Sequence, residues 1–575
     1  MRTTPIALAR LALIALPFTA LDTYPRQPGI SVEHYVFALE LSDASDEIRG
    51  EAIVSIRFTK DGLTSFFLDL ATPANGKGMT TTGVAADSAA LRYTHADNRL
   101  TITLPRPSHA GELRRFVVHY HGVPADGLRM GVNKYNERAF FSWNWPDKAR
   151  EWLPMIDHPS AKATSEFIIT APDKYAVVAN GLLQSEVSLG DGRKRTHWKQ
   201  SVPIASWLNA VGVEQFGVHH AGFVRGVELQ TWVAHQELDA GIARFETTAR
   251  RAVEFFSDRI GPYSYEKLAN VTAPFGGGAT EHATVIFYGD GGRRSGEPPA
   301  GAGRAGAGNA PGAGGGRGAA APGRGGAASV PGAGGTIAHE IAHQWFGNSV
   351  TESDWDDAWL SEGFATYFTL LYDEHYVGRD AFLRGVQGMF ARARTAAQTE
   401  KPLVHENISD LRGVIPQLVY QKGGSVLQVL RGQVGTETFW KAIRDYYRSH
   451  QNGSASSKDL QRAFEEASGQ DLEWFFAQWL HWPTVPALEG TWAWDEAGKK
   501  VVIELAQLQK GRAYRLPLEV ALSTEGSPAP RVERIDMTQP SQRFEITADG
   551  PPADVVLDPN SWMLMEPPKF GRRMR

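Results

Sequence analysis

Two histidines and two glutamates between positions 339 and 362 carry the densest chemistry in the chain. The stretch reads H-E-I-A-H-Q-W-F-G-N-S-V-T-E-S-D-W-D-D-A-W-L-S-E from His339 to Glu362. On a helix His339 and His343 fall one turn apart and project from the same face. Neutral imidazole is a good zinc ligand, and a catalytic zinc takes three protein ligands and a water, so a third ligand must come from elsewhere. Glu362 is the candidate. It follows His343 by 19 positions, in a second predicted helix over 358–376 whose Trp359, Phe364, Phe368 and Leu371 can pack it against the first. Glu340, adjacent to a ligand but directed past it, is placed to take a proton from the attacking water. Trp345 and Phe346, just beyond, read as packing residues.

H-E-x-x-H, 18 intervening residues and then Glu inside W-L-S-E-G-F-A resembles the signature of the gluzincin metallopeptidases of the aminopeptidase N family. Composition and spacing alone imply only a zinc hydrolase, against the bland alternative of two surface histidines on an amphipathic helix. The resemblance adds one zinc ion per chain, held by His339, His343 and Glu362, with Glu340 as general base and peptides as the partner.

A second motif widens the resemblance. Residues 273–288 read A-P-F-G-G-G-A-T-E-H-A-T-V-I-F-Y, where family members carry G-x-M-E-N and the glutamate holds the free amino group of the substrate. Of Gly278, Ala279, Thr280, Glu281 and His282, only Gly278 and Glu281 match. Glycines such as Gly277 and Gly278 let a peptide backbone come close. A buried Glu281 facing an α-ammonium would make a charge-assisted contact that an internal peptide cannot make, which enforces exopeptidase action; a structurally paired carboxylate is the alternative. Thr280 and His282 stand where the family has Met and Asn, which leaves the wall of the first-residue pocket open. His282 reads as a structural or wall histidine rather than a fourth ligand, because zinc catalysis needs an open position.

The third motif is V-Y-Q-K-G-G-S-V-L at residues 419–427, with Tyr420 58 positions beyond Glu362. The family carries a tyrosine in a similar Y-x-K-G phrase, where it stabilises the tetrahedral intermediate; such a donor is typically worth about 10² to 10³ in rate. Lys422 reads as structural or surface.

The elements that must position these groups follow from periodicity. From residue 30 to 218 apolar residues alternate, as at Tyr35, Phe37, Leu39 and Leu41 and again at Ala52, Val54, Ile56 and Phe58, which predicts an antiparallel β domain. The phrases at residues 149–164, 179–183 and 203–213 resemble the N-terminal β domain of the same family. Three- and four-residue spacing predicts helices at 238–259, 419–431, 436–450, 459–467 with Ser456 as cap, and 472–481, and residues 268–271 read as a strand. Pro483 and Pro486 mark a boundary, after which alternation returns. The expected architecture is an α+β multidomain chain: an N-terminal antiparallel β domain (30–218), a thermolysin-like, mostly helical catalytic domain (219–482), and a short C-terminal β-sandwich (483–570).

Residues 290–335 are mostly Gly, Ala and Pro with scattered Arg and are expected to form a disordered insertion in the catalytic domain. The large helical C-terminal domain of many family members has no room, which suggests a more open site or closure by other means, such as a second subunit. The sequence does not give the oligomeric state.

Composition limits the partners. The 575 residues carry a formal charge of −5 and 21% charged residues, and the Arg-bearing insertion lacks stacking aromatics, so nucleic acid is not expected. With no cysteine, any metal must be held by His, Asp and Glu. Residues 1–21, with Arg2 and Arg10 before an apolar run from Leu11 to Leu21, have the order of a secretory signal, and the expectation is export to the periplasm or medium with no integral membrane segment in the mature chain. Two rival classes stay open: another hydrolase on this scaffold, such as an endopeptidase or epoxide hydrolase, and a non-catalytic peptide-binding relative.

Overall fold

The alternation at Tyr35, Phe37, Leu39 and Leu41 becomes one buried face of a strand, Ile30–Glu40, in the computed structural model of the chain. The structure describes residues 22–274, 278–294, 334–414, 416–527 and 529–573. The expected signal segment, Gly277 and residues 295–333 of the insertion lie outside the described residues.

The N-terminal domain is built on an eight-stranded sheet in the order Leu182–Ser188, Arg193–Ile204, Ala163–Pro172, Ile30–Glu40, Ile48–Phe58, Leu113–Val123, Gly78–Ala86, Ala89–Ala90. Its pairings are antiparallel except one: Ile30–Glu40 runs parallel to Ala163–Pro172. A five-stranded sheet with Arg138–Trp143 and Gly127–Val132 at its centre faces it, and Trp152, Phe37, Phe167 and Phe140 fill the space between. The Gly/Ala/Pro/Arg-rich stretch begins as ordered chain, since Arg293–Arg294 pairs with Gly131 and Val132 at the edge of this second sheet.

The second domain opens with a sheet of which the sequence predicts one strand, 268–271, lying within Lys267–Ala273. Phe216–Val224, Val227–Ala234, Lys267–Ala273, Val285–Gly289 and Ala279–Thr280 lie side by side in that order, the middle three parallel. Its central strands are buried on both faces, as parallel strands usually are. Trp232, Val271, Val285 and Phe287 join the core of the N-terminal domain, while Leu229, Val233, Leu268, Ile286 and Tyr288 point the other way, into the helices. The sheet is thus the wall shared by the two domains.

The helices pack on its second face. They are α1 (Leu238–Arg259), α2 (Gly335–His343), α3 (Trp359–Tyr376), α4 (Arg379–Ala397), α5 (Gly423–Val434), α6 (Thr436–His450), α7 (Ser457–Ser468) and α8 (Glu473–His481). α7 begins with the predicted Ser456 cap, whose hydroxyl accepts from the Asp459 amide while the Asp459 carboxylate accepts from the Ser456 amide. α3 is buried nearly all round, from Trp359 to Asp373. Beyond α8 a four-stranded and a three-stranded sheet form the C-terminal sandwich, and its Ile503, Leu516 and Leu518 belong to the same core as the helices.

Candidate active site

α2 is only nine residues long, and Ala338, Ile341 and Ala342 bury its apolar side, with Trp345 and Phe346 continuing the packing. That fixes the opposite side, where His339 Nε2 and His343 Nε2 stand 3.2 Å apart. α3 brings Glu362 to the same point, its Oε2 lying 3.5 Å from His339 Nε2 and 3.2 Å from His343 Nε2. Zinc bonds to N and O ligands are about 2.0 to 2.1 Å, so the edge of a tetrahedron of ligands around zinc is about 3.3 Å. The three separations match that edge. Two imidazoles and one carboxylate, all buried, are therefore a donor set that fits one zinc ion.

The orientation of His343 is fixed from behind. Its Nδ1 lies 3.2 Å from the Phe346 carbonyl and 3.1 Å from Ser361 Oγ. With Nδ1–H donating to that carbonyl, the lone pair is on Nε2, facing the centre. Gly347 makes this possible: its φ is +111°, and a Cβ there would come within 2.3 Å of Ser361 Oγ and 3.1 Å of His343 Nδ1.

The charge balance of the site points the same way. Burial works against the His343 imidazolium, yet Glu281, Glu362 and Glu340 outweigh it and push the ring up to about 9. Burial lowers His339 against the pull of Glu362. Three carboxylates around two imidazoles leave excess negative charge, which a divalent cation compensates.

Glu281 enters from the edge strand Ala279–Thr280, and its Oε1 lies 4.0 Å from His343 Nε2. Its loop is clamped from the chain just after the histidine helix. Gln344 Nε2 donates to the carbonyls of Glu281 and His282 at 3.2 and 3.3 Å, Asn348 Nδ2 donates to the Glu281 carbonyl at 2.5 Å, and Gln344 Oε1 accepts from the Thr284 amide at 3.0 Å. Lys162 of the N-terminal domain donates to the carbonyls of Asn348 and Ser349 at 3.0 and 2.8 Å, tying the clamp to the other domain. Gly278 has φ +89°, a conformation suited to glycine. Thr280 and His282 are buried, and the His282 ring packs 5.2 Å from that of Phe287.

Tyr420 arrives on a turn of π-helix, Leu418–Lys422, that runs into α5. Such turns recur at functional sites because they displace one side chain from the regular helix surface. The Tyr420 ring stacks on His339 with centroids 5.8 Å apart and planes 4° from parallel. The glycines of Y-x-K-G-G bring this turn against α3. A Cβ on Gly363 would meet the Gly423 carbonyl carbon at 2.8 Å, and one on Gly423 would meet the Gly363 Cα at 3.0 Å. Lys422 is buried, donates to the Trp482 carbonyl at 2.8 Å, and is held down to about 7 by desolvation.

His339, His343 and Glu362 thus meet at one point, Glu281 and Glu340 group with His343 beside it, and Tyr420 stacks on His339. Sequence reasoning passed over Gln344, Asn348, Ser361 and Lys162, which support them. The available signal was polar residues at 344 and 348 inside the apolar run that follows His343. Asp22, His158 and Asp354 form another buried grouping of metal-ligand type, but the Arg26 guanidinium fills its cationic role, 2.9 Å from Asp22 and 2.6 Å from Asp354.

Comparison with known families decides what this arrangement is. The profile of the peptidase family M1 domain matches residues 330–479, and that of the peptidase M1 N-terminal domain matches residues 31–208, together more than half of the chain. The chain belongs to peptidase family M1. Glutamyl aminopeptidase of Bitis rhinoceros is 27% identical over 353 residues, 60% of this chain and 34% of that protein. Aminopeptidase N of Streptomyces lividans is 27% identical over 529 residues, 88% of this chain and 56% of that protein. The chain therefore spans about a third to little more than half of the length of these relatives. The crystal structure of an M1 zinc metallopeptidase from Deinococcus radiodurans superposes with a TM-score of 0.63 at 25% identity, covering 82% of this chain and 96% of that one.

Proposed function

We propose that this M1 protein is a zinc-dependent aminopeptidase that removes N-terminal residues from peptides, with one zinc ion per chain held by His339, His343 and Glu362. The observation that carries the reading is the ligand triangle with tetrahedral edges, flanked by Glu281 on the His343 side and Tyr420 on the His339 side. When bound there, zinc supplies Lewis acidity to a carbonyl oxygen and acidifies a water molecule. Glu340 accepts the proton of the attacking water and passes it to the leaving amine. The Tyr420 phenol donates to the carbonyl oxygen as it takes up negative charge. Glu281, its loop clamped by Gln344 and Asn348, binds the α-ammonium of the substrate, so that cleavage falls after the first residue. Gly278, with its φ of +89°, leaves room for the substrate backbone.

The test is hydrolysis of one peptide with a free and with an acetylated N-terminus, with and without a chelator, following products by mass. Stepwise loss of N-terminal residues from the free form alone, abolished by chelation, is expected. Glu340→Gln is expected to retain zinc and lose turnover by at least about 10²-fold; wild-type-like activity in that variant would overturn the scheme. A second reading, an endopeptidase or other hydrolase on the same scaffold, draws on Thr280 and His282 standing beside Glu281, and internal cuts in both peptide forms would establish it. We also propose, from the charge-then-apolar order of residues 1–21, that the chain is exported; recovery of the expressed protein in the cytoplasm with those residues intact would refute this.

A further inference from the structure

The clamp on Glu281 has its far end in the other domain. Lys162 immediately precedes the strand Ala163–Pro172, which lies inside the eight-stranded sheet between Arg193–Ile204 and Ile30–Glu40. Its backbone is therefore held by the N-terminal domain. Its side chain crosses to the catalytic domain, where Nζ donates to the carbonyls of Asn348 and Ser349 at 3.0 and 2.8 Å. Desolvation lowers the lysine to about 7, and the charge of Glu352, itself pushed up by burial to about 8, offsets only part of that. Withdrawing an ammonium group from water against neutral acceptors is costly.

The acceptors lead directly to Glu281. The Asn348 carbonyl takes a second bond, from Thr351 Oγ1 at 2.9 Å, and the Asn348 amide donates to the His343 carbonyl at 3.0 Å, so the residue is fixed on both of its peptide groups. The Asn348 side chain then donates through Nδ2 to the Glu281 carbonyl at 2.5 Å. Lys162, Asn348 and Glu281 thus form an unbroken line of hydrogen bonds, from the N-terminal sheet to the residue whose carboxylate lies 4.0 Å from His343 Nε2. Gln344 holds the same Glu281 carbonyl from a separate side chain, so loss of Lys162 shifts the glutamate without releasing it.

We propose that Lys162 is a positioning residue for the substrate: acting through Asn348, it sets the place of Glu281 and with it the affinity of the site for the α-ammonium of a peptide. The proposal rests on the reading of Glu281 as amine anchor, and the test separates the two. Leucine hydroxamate and its des-amino counterpart, isocaproyl hydroxamate, offer the same metal-binding group and the same apolar side chain, and only the first carries an α-ammonium. Calorimetry gives the dissociation constants of both for the zinc-loaded full chain as wild type, Lys162→Met, Lys162→Gln, Asn348→Ala and the double variant of Lys162→Met with Asn348→Ala, and the zinc content of each preparation is measured beside them. Wild type is expected to bind the amino form about 10- to 100-fold more tightly, the scale of a charge-assisted hydrogen bond. Lys162→Met is expected to cut that ratio by about 5- to 10-fold through displacement of the anchor, with zinc content and affinity for the des-amino form within about twofold of wild type. Lys162→Gln, which keeps one donor, is expected to fall between. Asn348→Ala is expected to lower the ratio as far, and adding Lys162→Met to it to change the ratio by less than about twofold, the signature of two residues acting in one line.

An undiminished ratio in folded, zinc-loaded Lys162→Met overturns the assignment. Equal weakening of both hydroxamates overturns it too, since a general loosening of the site does not single out the ammonium, and so do losses that add in the double variant. If Lys162→Met does not fold, Lys162→Gln is read by the same criterion. If neither folds, Asn348→Ala decides, because the line passes through its side chain and an undiminished ratio there breaks it. A wild type that binds the two hydroxamates equally overturns the amine-anchor reading of Glu281, and this proposal with it.

Discussion

At the residue scale the site depends on contacts behind the ligands as much as on the ligands. Gly347 shows this most sharply. Its left-handed backbone, φ +111°, carries the chain away from α2, and the space a side chain would fill is taken by Ser361 Oγ and His343 Nδ1. Gly347→Ala must therefore displace the ring that offers Nε2 to the metal or the turn that leads into Glu362. The expected outcome is zinc affinity reduced by about 10- to 100-fold, the usual effect of disturbing groups behind a metal ligand, measured as zinc retained on dialysis against a graded chelator series. Unchanged zinc retention would mean that the His343 ring does not need this support. The ligands themselves were legible because their spacing is local: i and i+4 on one helix, then a glutamate on the next. Gln344 and Asn348 were not, because they act on the carbonyls of Glu281 and His282, more than sixty positions away, and sequence pattern carries no record of a backbone acceptor so distant. Lys422 shows the reverse limit, since nothing in its type announces a lysine buried against one carbonyl.

At the element scale the turn that delivers Glu362 is held by a strap from the start of the described chain. The Asp22 amide donates to both oxygens of Asp354, at 2.9 and 3.1 Å, while the Asp22 carboxylate accepts from the Trp355 amide at 3.1 Å and lies 2.8 Å from His158 Nε2. Arg26 closes the group, and Thr23 bonds to the Ile408 carbonyl. Burial raises Asp354, whereas for Asp22 the desolvation cost is outweighed by the hydrogen bond and charge of His158, which hold it well below the ordinary 3.8. A carboxyl depressed in the folded state contributes stability that is fully present above its unfolded pKa and is lost as pH falls through the folded value. Asp22→Asn should accordingly lower the urea midpoint at neutral pH by the equivalent of about 1 to 3 kcal/mol, and the gap from wild type should narrow as pH drops below 3.8. A gap that stays constant from pH 7 to pH 3 would show that the charge of Asp22 contributes nothing. The strap was invisible in the sequence because its partners lie from 136 to more than 330 positions away. Helices such as α1 and α6 were legible because their three- and four-residue spacing is complete within the element. Of the catalytic sheet, residues 268–271 were legible and lie in Lys267–Ala273, but Val285–Gly289 was not, because V-I-F-Y is apolar throughout and buried on both faces, so the polar half of an alternation is missing.

At the scale of the whole molecule that doubly buried sheet decides how separable the domains are. The helices and the C-terminal sandwich share one apolar core, but the sheet gives Trp232, Ala269, Val271, Ala273, Val285 and Phe287 to the core of the N-terminal domain. A chain cut to residues 216–573 would turn those six side chains to water. At about 1.5 to 3 kcal/mol for each larger one, the loss is on the order of 10 kcal/mol, comparable to the entire stability of a typical protein. Val285–Gly289 pairs with Ala279–Thr280, next to Glu281, and the Ala269 amide donates to the Thr284 carbonyl at 2.9 Å, so damage to the sheet reaches the site directly. The shortened chain is expected to show no cooperative urea transition, and to hydrolyse no peptide in the presence of zinc, while the full chain does both. Circular dichroism through the transition and a peptide assay on the same preparations check this. A cooperative, active 216–573 would mean that the second face of the sheet tolerates solvent, and that the N-terminal domain serves the substrate rather than the fold.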